Sequence, residues 1–235
     1  MVKAVYCQGI CKDYGIGDAK VRVLDNINIS IEKSTLTLIK GRSGSGKTTL
    51  MNILGILDNQ TEGKVFYNDK DITELSMSQK DKIRRLEIAF IFQSVSLLPH
   101  MSAYDNVEFM LRIAKLPIDK KRIEYCLELV GLKDRMKHMA PLLSGGEQQR
   151  VAIARAMIHK PTIIFADEPT SQLDSKNSIF IMEIFKQYIR EENSTILVTS
   201  HDAKVAKAAD CIYTMEDGQI TDICYPGSHE PITLP

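Results

Sequence analysis

The sequence predicts an α/β fold with an N-terminal antiparallel β layer and an inserted α-helical subdomain. Three observations point there. A glycine-rich loop, Gly41–Gly46, stands between a β-rich run, Thr35–Lys40, and a segment, Lys47–Leu57, whose apolar residues Leu50, Ile53, Leu54 and Leu57 recur at helical spacing. A continuous apolar run, Thr162–Ala166, has the composition of a strand buried in a parallel sheet, and the acids Asp167 and Glu168 follow it. Between these two units, residues 102–160 turn helical in pattern.

Taken in order, residues 2–6 alternate as a short strand, and 21–31 alternate as a half-buried antiparallel strand. Residues 63–67 and 88–92 give two further strands. Ser102 opens a helix with Asp105 as its capping partner. Ile118–Val130 is a second helix closed by Gly131, and Glu147–Ile158 a third that stops before Pro161. Ser175–Arg190 reads as a helix, Thr195–Thr199 as a buried strand and Ala203–Ala209 as a short helix. Asp217-Gly218, between Ile212–Met215 and Gln219–Ile223, is a hairpin signal. The expected division is a core with its β layer over 1–92 and 161–225, a helical subdomain over 93–160, and a loose tail over 226–235. No internal repeat is present.

Composition narrows the function classes. Thirty basic residues balance 30 acidic ones, so a general nucleic-acid binder, which carries a basic surplus, is not expected. No apolar run approaches the ~18 residues needed to cross a bilayer. The N-terminus opens straight into strand-like sequence with no signal-peptide pattern, so the expected location is cytoplasmic. Five cysteines are scattered without zinc-site spacing and are expected to be reduced thiols.

Gly41-Arg42-Ser43-Gly44-Ser45-Gly46-Lys47-Thr48 matches the Gly-x-x-x-x-Gly-Lys-Ser/Thr phosphate loop. Glycines let the chain wrap so that consecutive N–H groups face phosphate oxygens, and the following helix adds the positive end of its dipole. Gly41, Ser43, Gly44, Ser45, Gly46, Lys47, Thr48 and Thr49 are therefore candidate nucleotide-binding residues. Lys47 is expected to reach the β- and γ-phosphates and Thr48 to ligate Mg²⁺. Asp167, at the end of an apolar strand that delivers it to the ligand crevice, is expected near the Mg²⁺, and Glu168 is expected to polarise the attacking water. A helix N-terminal charge pair is the plainer account of two such acids.

Leu143-Ser144-Gly145-Gly146-Glu147-Gln148-Gln149-Arg150 resembles the signature motif of the ATP-binding-cassette (ABC) ATPases. From Tyr14 to about Gly218 the motifs fall in that family's order: Tyr14, the phosphate loop, Gln93, the signature, Asp167-Glu168-Pro169-Thr170, Ser171-Gln172-Leu173-Asp174 and His201. The resemblance implies a P-loop NTPase (RecA-like) core and ATP and Mg²⁺ as cofactors. It implies catalytic roles for Glu168, His201, Gln93 and Lys47, and metal contacts from Thr48, Gln93 and Asp167. Tyr14 would stack on adenine, although an ordinary surface tyrosine would look the same. Ser144, Gly145 and Gly146 would bind the γ-phosphate of ATP held by a second subunit, and Asp174 would sit at the dimer seam.

Three departures from the family pattern stand out. Lys33-Ser34-Thr35 lacks the glycine often found before the loop strand, which would cost ~1–2 kcal/mol if the turn demands left-handed geometry. Arg42 takes a position often held by proline or a small residue, either adding charge near the phosphates or lying solvated. Ser171-Gln172 replaces smaller residues.

Only one phosphate loop and one signature occur, so the chain is expected to dimerise and to serve a separate membrane permease. Tyr14–Leu24, Phe92–His100 and Ala166–Thr170 are similar to the macrolide-exporter and lipoprotein-release subfamily. That implies an efflux or mechanotransmission ATPase at the inner face of the membrane. An importer ATPase and a soluble regulatory ATPase are the alternatives. Residues 94–101 would then receive the permease's coupling helix, or form plain core of the helical subdomain.

Overall fold

The computed structural model describes residues 2–15, 17–171 and 173–226; Gln172 and the tail from 227 onward, on which two of the expectations above fall, lie outside the described residues. Strands and helices are numbered in chain order. Strands β1 (Lys3–Tyr14), β2 (Val21–Glu32), β4 (Glu62–Tyr67) and β5 (Lys70–Asp71) form an antiparallel sheet ordered β2-β1-β4-β5. The second sheet has six strands. From one edge to the other they are β10 (Gln219–Cys224), β9 (Cys211–Glu216), β3 (Leu36–Lys40), β8 (Thr195–Ser200), β7 (Ile163–Asp167) and β6 (Ile88–Ile91). All are parallel except β10, which returns against β9 through Asp217-Gly218. Both turn residues have positive φ, 43° and 79°, the conformation that matches a two-residue turn to the twist of its strands.

Strict alternation along the central strands divides the core in two. Leu36, Leu38, Ile164, Ala166, Ile196 and Val198 face a cluster shared with the helices between β6 and β7 and with α6 (Ser175–Glu192). Ile39, Ile163, Phe165 and Leu197 face the opposite cluster, under α1 (Lys47–Leu54) and the antiparallel sheet. Tyr188 and Phe185 of α6 are fully buried, and the Tyr188 hydroxyl donates to the Met157 carbonyl at 2.9 Å, so its polar tip is satisfied.

Helices α3 (Ala103–Ala114), α4 (Lys120–Leu129) and α5 (Gly145–Met157) lie between β6 and β7 in sequence. Each begins on a side-chain cap. The Asp105 amide donates to Ser102 Oγ at 3.1 Å, and the Arg122 amide to Asp119 Oδ1 at 3.0 Å. Half-buried Arg122 of α4 reaches Glu192 of α6 at 2.5 Å, tying this helical region to the core behind the sheet.

Three boundaries and one helix stand out against the sequence expectation. β1 runs to Tyr14, eight residues past the expected end, because register shifts after Cys7 and Ile10, around Gly9 at φ 60°, break the period-two pattern. α1 stops at Leu54, short of Leu57, because Ile56 turns left-handed at φ 61°; Gly55 before it packs so close to Phe90 that no side chain fits there. α5 starts on Gly145, two residues early, since its capping box outweighs the low helix propensity of glycine. Helix α2 (Met77–Leu86), unforeseen, buries no residue; a Ser76–Gln79 capping box starts it. Thus it has no apolar stripe to announce it.

The turn before β3 does demand left-handed geometry: Ser34 sits at φ 57°, with its amide donating to Thr195 Oγ1 at 3.1 Å. Glycine keeps that amide and removes the steric penalty. Ser34→Gly should stabilise the fold by about 1 kcal/mol and raise the thermal midpoint by about 2–4 °C in a melting experiment. An unchanged or lowered midpoint would show that the exposed Ser34 Oγ bond to Asn193 outweighs the strain.

Candidate active site

The glycine-rich loop leaves β3 at the carboxyl edge of the parallel strands. Two of its glycines are required by close approach. A Cβ at Gly41 would lie 2.3 Å from the Met215 carbonyl oxygen, and one at Gly46, where φ is 102°, would lie 2.8 Å from Leu24 Cδ2. The loop is thus pressed between β9 and β2, and α1 begins directly from the left-handed Gly46. Lys47 is buried, its Nζ donating to the carbonyls of Gly41 and Arg42 at 2.9 Å each. One of the three ammonium donors remains for a ligand. Ser45 lies under the loop, and its buried Oγ finds no partner among the described residues.

The paired acids come from the end of β7 and the residue after it. Asp167 Oδ2 accepts from Thr48 Oγ1 at 2.9 Å, and Asp167 Oδ1 accepts from Thr199 Oγ1 at 2.6 Å. Glu168 takes a left-handed conformation, φ 47°, and its amide donates to both the carbonyl and the hydroxyl of Thr199, at 3.1 Å and 3.0 Å. Thr199 therefore orients both acids, yet it carries no motif signal beyond being a hydroxyl at the end of an apolar strand. His201 Nδ1 lies 3.2 Å from Glu168 Oε1, joining an exposed imidazole to a mostly buried carboxylate.

Part of this set lines one cleft of about 370 Å³, whose lining does not include Gly41, Ser45, Asp167 or Thr199. Gln93, Glu168 and His201 face Ser43, Gly44 and Lys47–Thr49 across it, with Val23 of β2 as part of the wall. A larger groove of about 670 Å³, between the antiparallel sheet and β10, contains none of these residues. Tyr14 is not part of the cleft lining. It ends β1, with 44 % of its surface exposed, and its hydroxyl donates to Asp58 Oδ2 at 2.8 Å. Arg42 borders a separate hollow with Glu216 and Asp217.

Ser144, Gly145, Gly146 and Asp174 are not brought to this cleft either. Ser144 caps α5: its amide donates to Glu147 Oε2 at 2.8 Å, and the Glu147 amide donates back to Ser144 Oγ at 3.3 Å. Hydrogen bonds from the Ser144 amide and hydroxyl hold the Glu147 carboxyl below its usual range. A Cβ at Gly145 would meet nothing within 4 Å, and one at Gly146 would meet only Leu173 Cδ2 at 3.4 Å. Among the described residues, nothing crowds a side chain at Gly145, and one at Gly146 would make only ordinary contact. Asp174 caps α6, accepting from the Lys176 and Asn177 amides at 3.0 and 2.8 Å.

A family model described as ABC transporter matches residues 24–171. An uncharacterised ABC transporter ATP-binding protein of Methanocaldococcus jannaschii is 42 % identical over 221 residues, which is 93 % of this chain and 98 % of the relative. The macrolide export ATP-binding/permease protein MacB of Bdellovibrio bacteriovorus is 42 % identical over 213 residues, 91 % of this chain, but the match spans 33 % of that protein's own length. Among solved structures, a dimeric ATP-binding cassette of Methanocaldococcus jannaschii, in a post-hydrolysis state bound to ADP and Pi, superposes with a TM-score of 0.88 at 36 % identity. That match covers 95 % of this chain and 99 % of the other. The cbiO1 protein of Clostridium perfringens, part of the ABC transporter complex cbiONQ, gives 0.86 at 27 % identity over 96 % of this chain and 90 % of its own.

The α5 cap is testable by itself. Glu147→Ala removes the reciprocal half of the box and should lower the thermal midpoint at neutral pH by about 2–4 °C, the effect of ~1 kcal/mol. Because the folded carboxyl is held low, its contribution is present above the ordinary carboxylate range and is lost as pH falls through the lowered value. The gap between wild type and Glu147→Ala should therefore close in acid. A gap that widens in acid would contradict the assignment.

Proposed function

This chain belongs to the ABC transporter family and is an ATP-hydrolysing member of it, and we propose that two copies close head to tail around ATP to drive a separate membrane permease. One observation carries the dimer. The cleft gathers the phosphate loop, Gln93, Glu168 and His201, whereas the exposed Ser144 and Gly145 lie outside it with open space where Gly145 lacks a side chain. A second chain's α5 end, with its N–H groups and positive dipole, is the element that such bare backbone suits. That the similar Methanocaldococcus cassette is dimeric supports a two-copy assembly.

Within each site, the loop amides and the α1 N-terminus would cradle the phosphates, with Lys47 on the β- and γ-oxygens. Thr48 and Asp167 offer two hard oxygens 2.9 Å apart, and among the described residues no cluster of three acidic, histidine or cysteine side chains exists. That sparse set fits Mg²⁺, which takes its remaining ligands from phosphate and water. Bound there, Mg²⁺ would neutralise charge between the β- and γ-phosphates. Glu168 would accept a proton from the attacking water, with Gln93 helping to place it. His201, beside Glu168, would hydrogen-bond the γ-phosphate, Tyr14 would stack on adenine, and Asp174 would lie at the seam.

The efflux direction draws on the macrolide-export relatives, whose names join an ATP-binding part to a permease. None of the described helices is long and apolar enough to cross a membrane, so the permease would be another polypeptide segment, with this chain held at the cytoplasmic face. Phe92, 45 % exposed just ahead of Gln93, marks a surface where such a partner could reach the site. Affinity purification from detergent extracts should recover a few-helix permease with a large external domain. A many-helix permease with a binding protein would make the chain an importer subunit, and no membrane partner would make it a soluble regulatory ATPase.

Two variants test the shared site together. Glu168→Gln should lose turnover by at least about a hundredfold while forming ATP-dependent dimers in gel filtration. Ser144→Arg should block hydrolysis while each subunit still binds nucleotide. Normal turnover in the first would remove Glu168 as the base; normal turnover in the second would sink the two-chain site.

A further inference from the structure

We propose that Asp58 is a positioning residue for nucleotide binding, fixing the Tyr14 phenol as a platform for the base in register with the phosphate loop. This rests on the assignment of Tyr14 to the adenine. A tyrosine at a strand end with nearly half of its surface in solvent would ordinarily sample several rotamers. Here it is tied at its tip. The hydroxyl donates to Asp58 Oδ2 at 2.8 Å, while Asp58 Oδ1 receives Lys12 Nζ at 2.8 Å and the Asn59 amide at 2.7 Å. Lys12 Nζ also donates to the Asn59 carbonyl at 2.6 Å and sits 4.8 Å from the Tyr14 ring centroid. Lys12 and Tyr14 of β1 both reach the same Asp58 carboxylate, which brings the ammonium beside the ring. One face of the ring meets the ammonium, which leaves the other for a stacking partner.

Asp58 connects this ring to the phosphate loop. It follows α1, and its amide donates to the Asn52 carbonyl of that helix at 3.2 Å, as does that of Leu57 at 2.8 Å. The carboxylate is therefore anchored to the same short helix whose N-terminus carries Lys47 and Thr48. Thr49, which lines the cleft, lies on the first turn of that helix. Burial pushes the Asp58 carboxyl up, but Lys12 and the Tyr14 hydroxyl hold it below its usual range, so it stays an acceptor on both oxygens. On the other side of Tyr14, Asp13 is held by Arg22 Nε at 2.9 Å and Lys20 Nζ at 2.8 Å, and its amide donates to Thr61 Oγ1 at 2.9 Å. The backbone before the ring is pinned by these contacts, so the remaining freedom lies in the side chain, which Asp58 removes. The plainer alternative is a clamp that merely closes β1 onto α1.

Steady-state hydrolysis by the full chain separates the two. Asp58→Ala should raise KM for ATP about fivefold, the loss of a charge-assisted hydrogen bond at a partly exposed site, with kcat within about twofold of wild type. Tyr14→Phe, which keeps the ring but not the hydroxyl, should do the same, and the double variant should be no worse than either alone. Asp58→Asn, the variant closest in shape, should show a smaller rise. Inorganic tripolyphosphate, a competitor with no base, should inhibit wild type and Asp58→Ala equally. If Asp58→Ala weakens tripolyphosphate as much as ATP, Asp58 only supports the loop and the proposal falls. If Tyr14→Ala leaves KM unchanged, the adenine assignment itself fails. If Tyr14→Ala raises KM but neither Asp58 variant does, the assignment stands and the positioning role is overturned.

Discussion

The carboxylate of Asp167 is the joint on which the site depends. One oxygen takes the hydroxyl of Thr48 at the start of α1, and the other takes the hydroxyl of Thr199 at the tip of β8. Three separately buried elements, α1, β7 and β8, are brought to one point by a single acid. Each hydrogen bond to an ionised acceptor is worth about 1.5–3 kcal/mol, and removing the acceptor leaves two hydroxyls without their partner. The geometry is affordable because the strand beneath is sealed: Ile163, Ile164, Phe165 and Ala166 are all fully buried and leave the strand no freedom to shift. The core thereby sets how precisely Asp167 and Thr48 can be presented together.

The two halves of the proposed nucleotide site are built by opposite rules. At the phosphate loop the chain itself excludes side chains, since Cβ atoms at Gly41 and Gly46 would collide with Met215 and Leu24. At the start of α5 the chain excludes nothing, and Gly145 faces open space. A glycine that packing demands belongs to the monomer's own architecture. One in open space at the start of a capped helix leaves room for another molecule's phosphate, as the proposed dimer requires. The capping box of Ser144 and Glu147 adds to this, because it satisfies two backbone groups at the helix start while leaving the others facing outward.

What was legible in the sequence follows from this division. The phosphate loop, the acid pair and the α5 start were readable because each needs particular residue types at fixed spacing. The central strands β3, β7 and β8 were readable because fully buried strands are runs of apolar residues, and β9 and β10 from the Asp217-Gly218 turn between them. The rest depends on partners distant in sequence. Thr199 matters only because β8 lies beside β7, and Asp58 only because β1 continues to Tyr14 past a bulge at Gly9 that hides it from period-two pattern matching. Helix α2 packs only Ile83 against the core, so ten mostly polar residues give little apolar pattern to detect. The left-handed turn at Ser34 was flagged by the missing glycine, but only the structure decides its sign.

Glu168 shows how local strain and function meet. A non-glycine residue in the left-handed region costs about 1–2 kcal/mol. Here the cost is offset by a shared hydrogen bond, the Glu168 amide donating to both oxygens of Thr199. A relaxed extended backbone at this position would continue the direction of β7 and carry the next side chain to the alternate face, away from the cleft. The left-handed kink instead keeps two successive acids on the same side, Asp167 toward Thr48 and Glu168 toward His201. Adjacent residues on a regular strand cannot do this. The proposed pairing of a cation-holding acid with a water-activating acid therefore requires a break in the strand at that step, and the hydroxyl of Thr199, which binds both residues, stabilises the break.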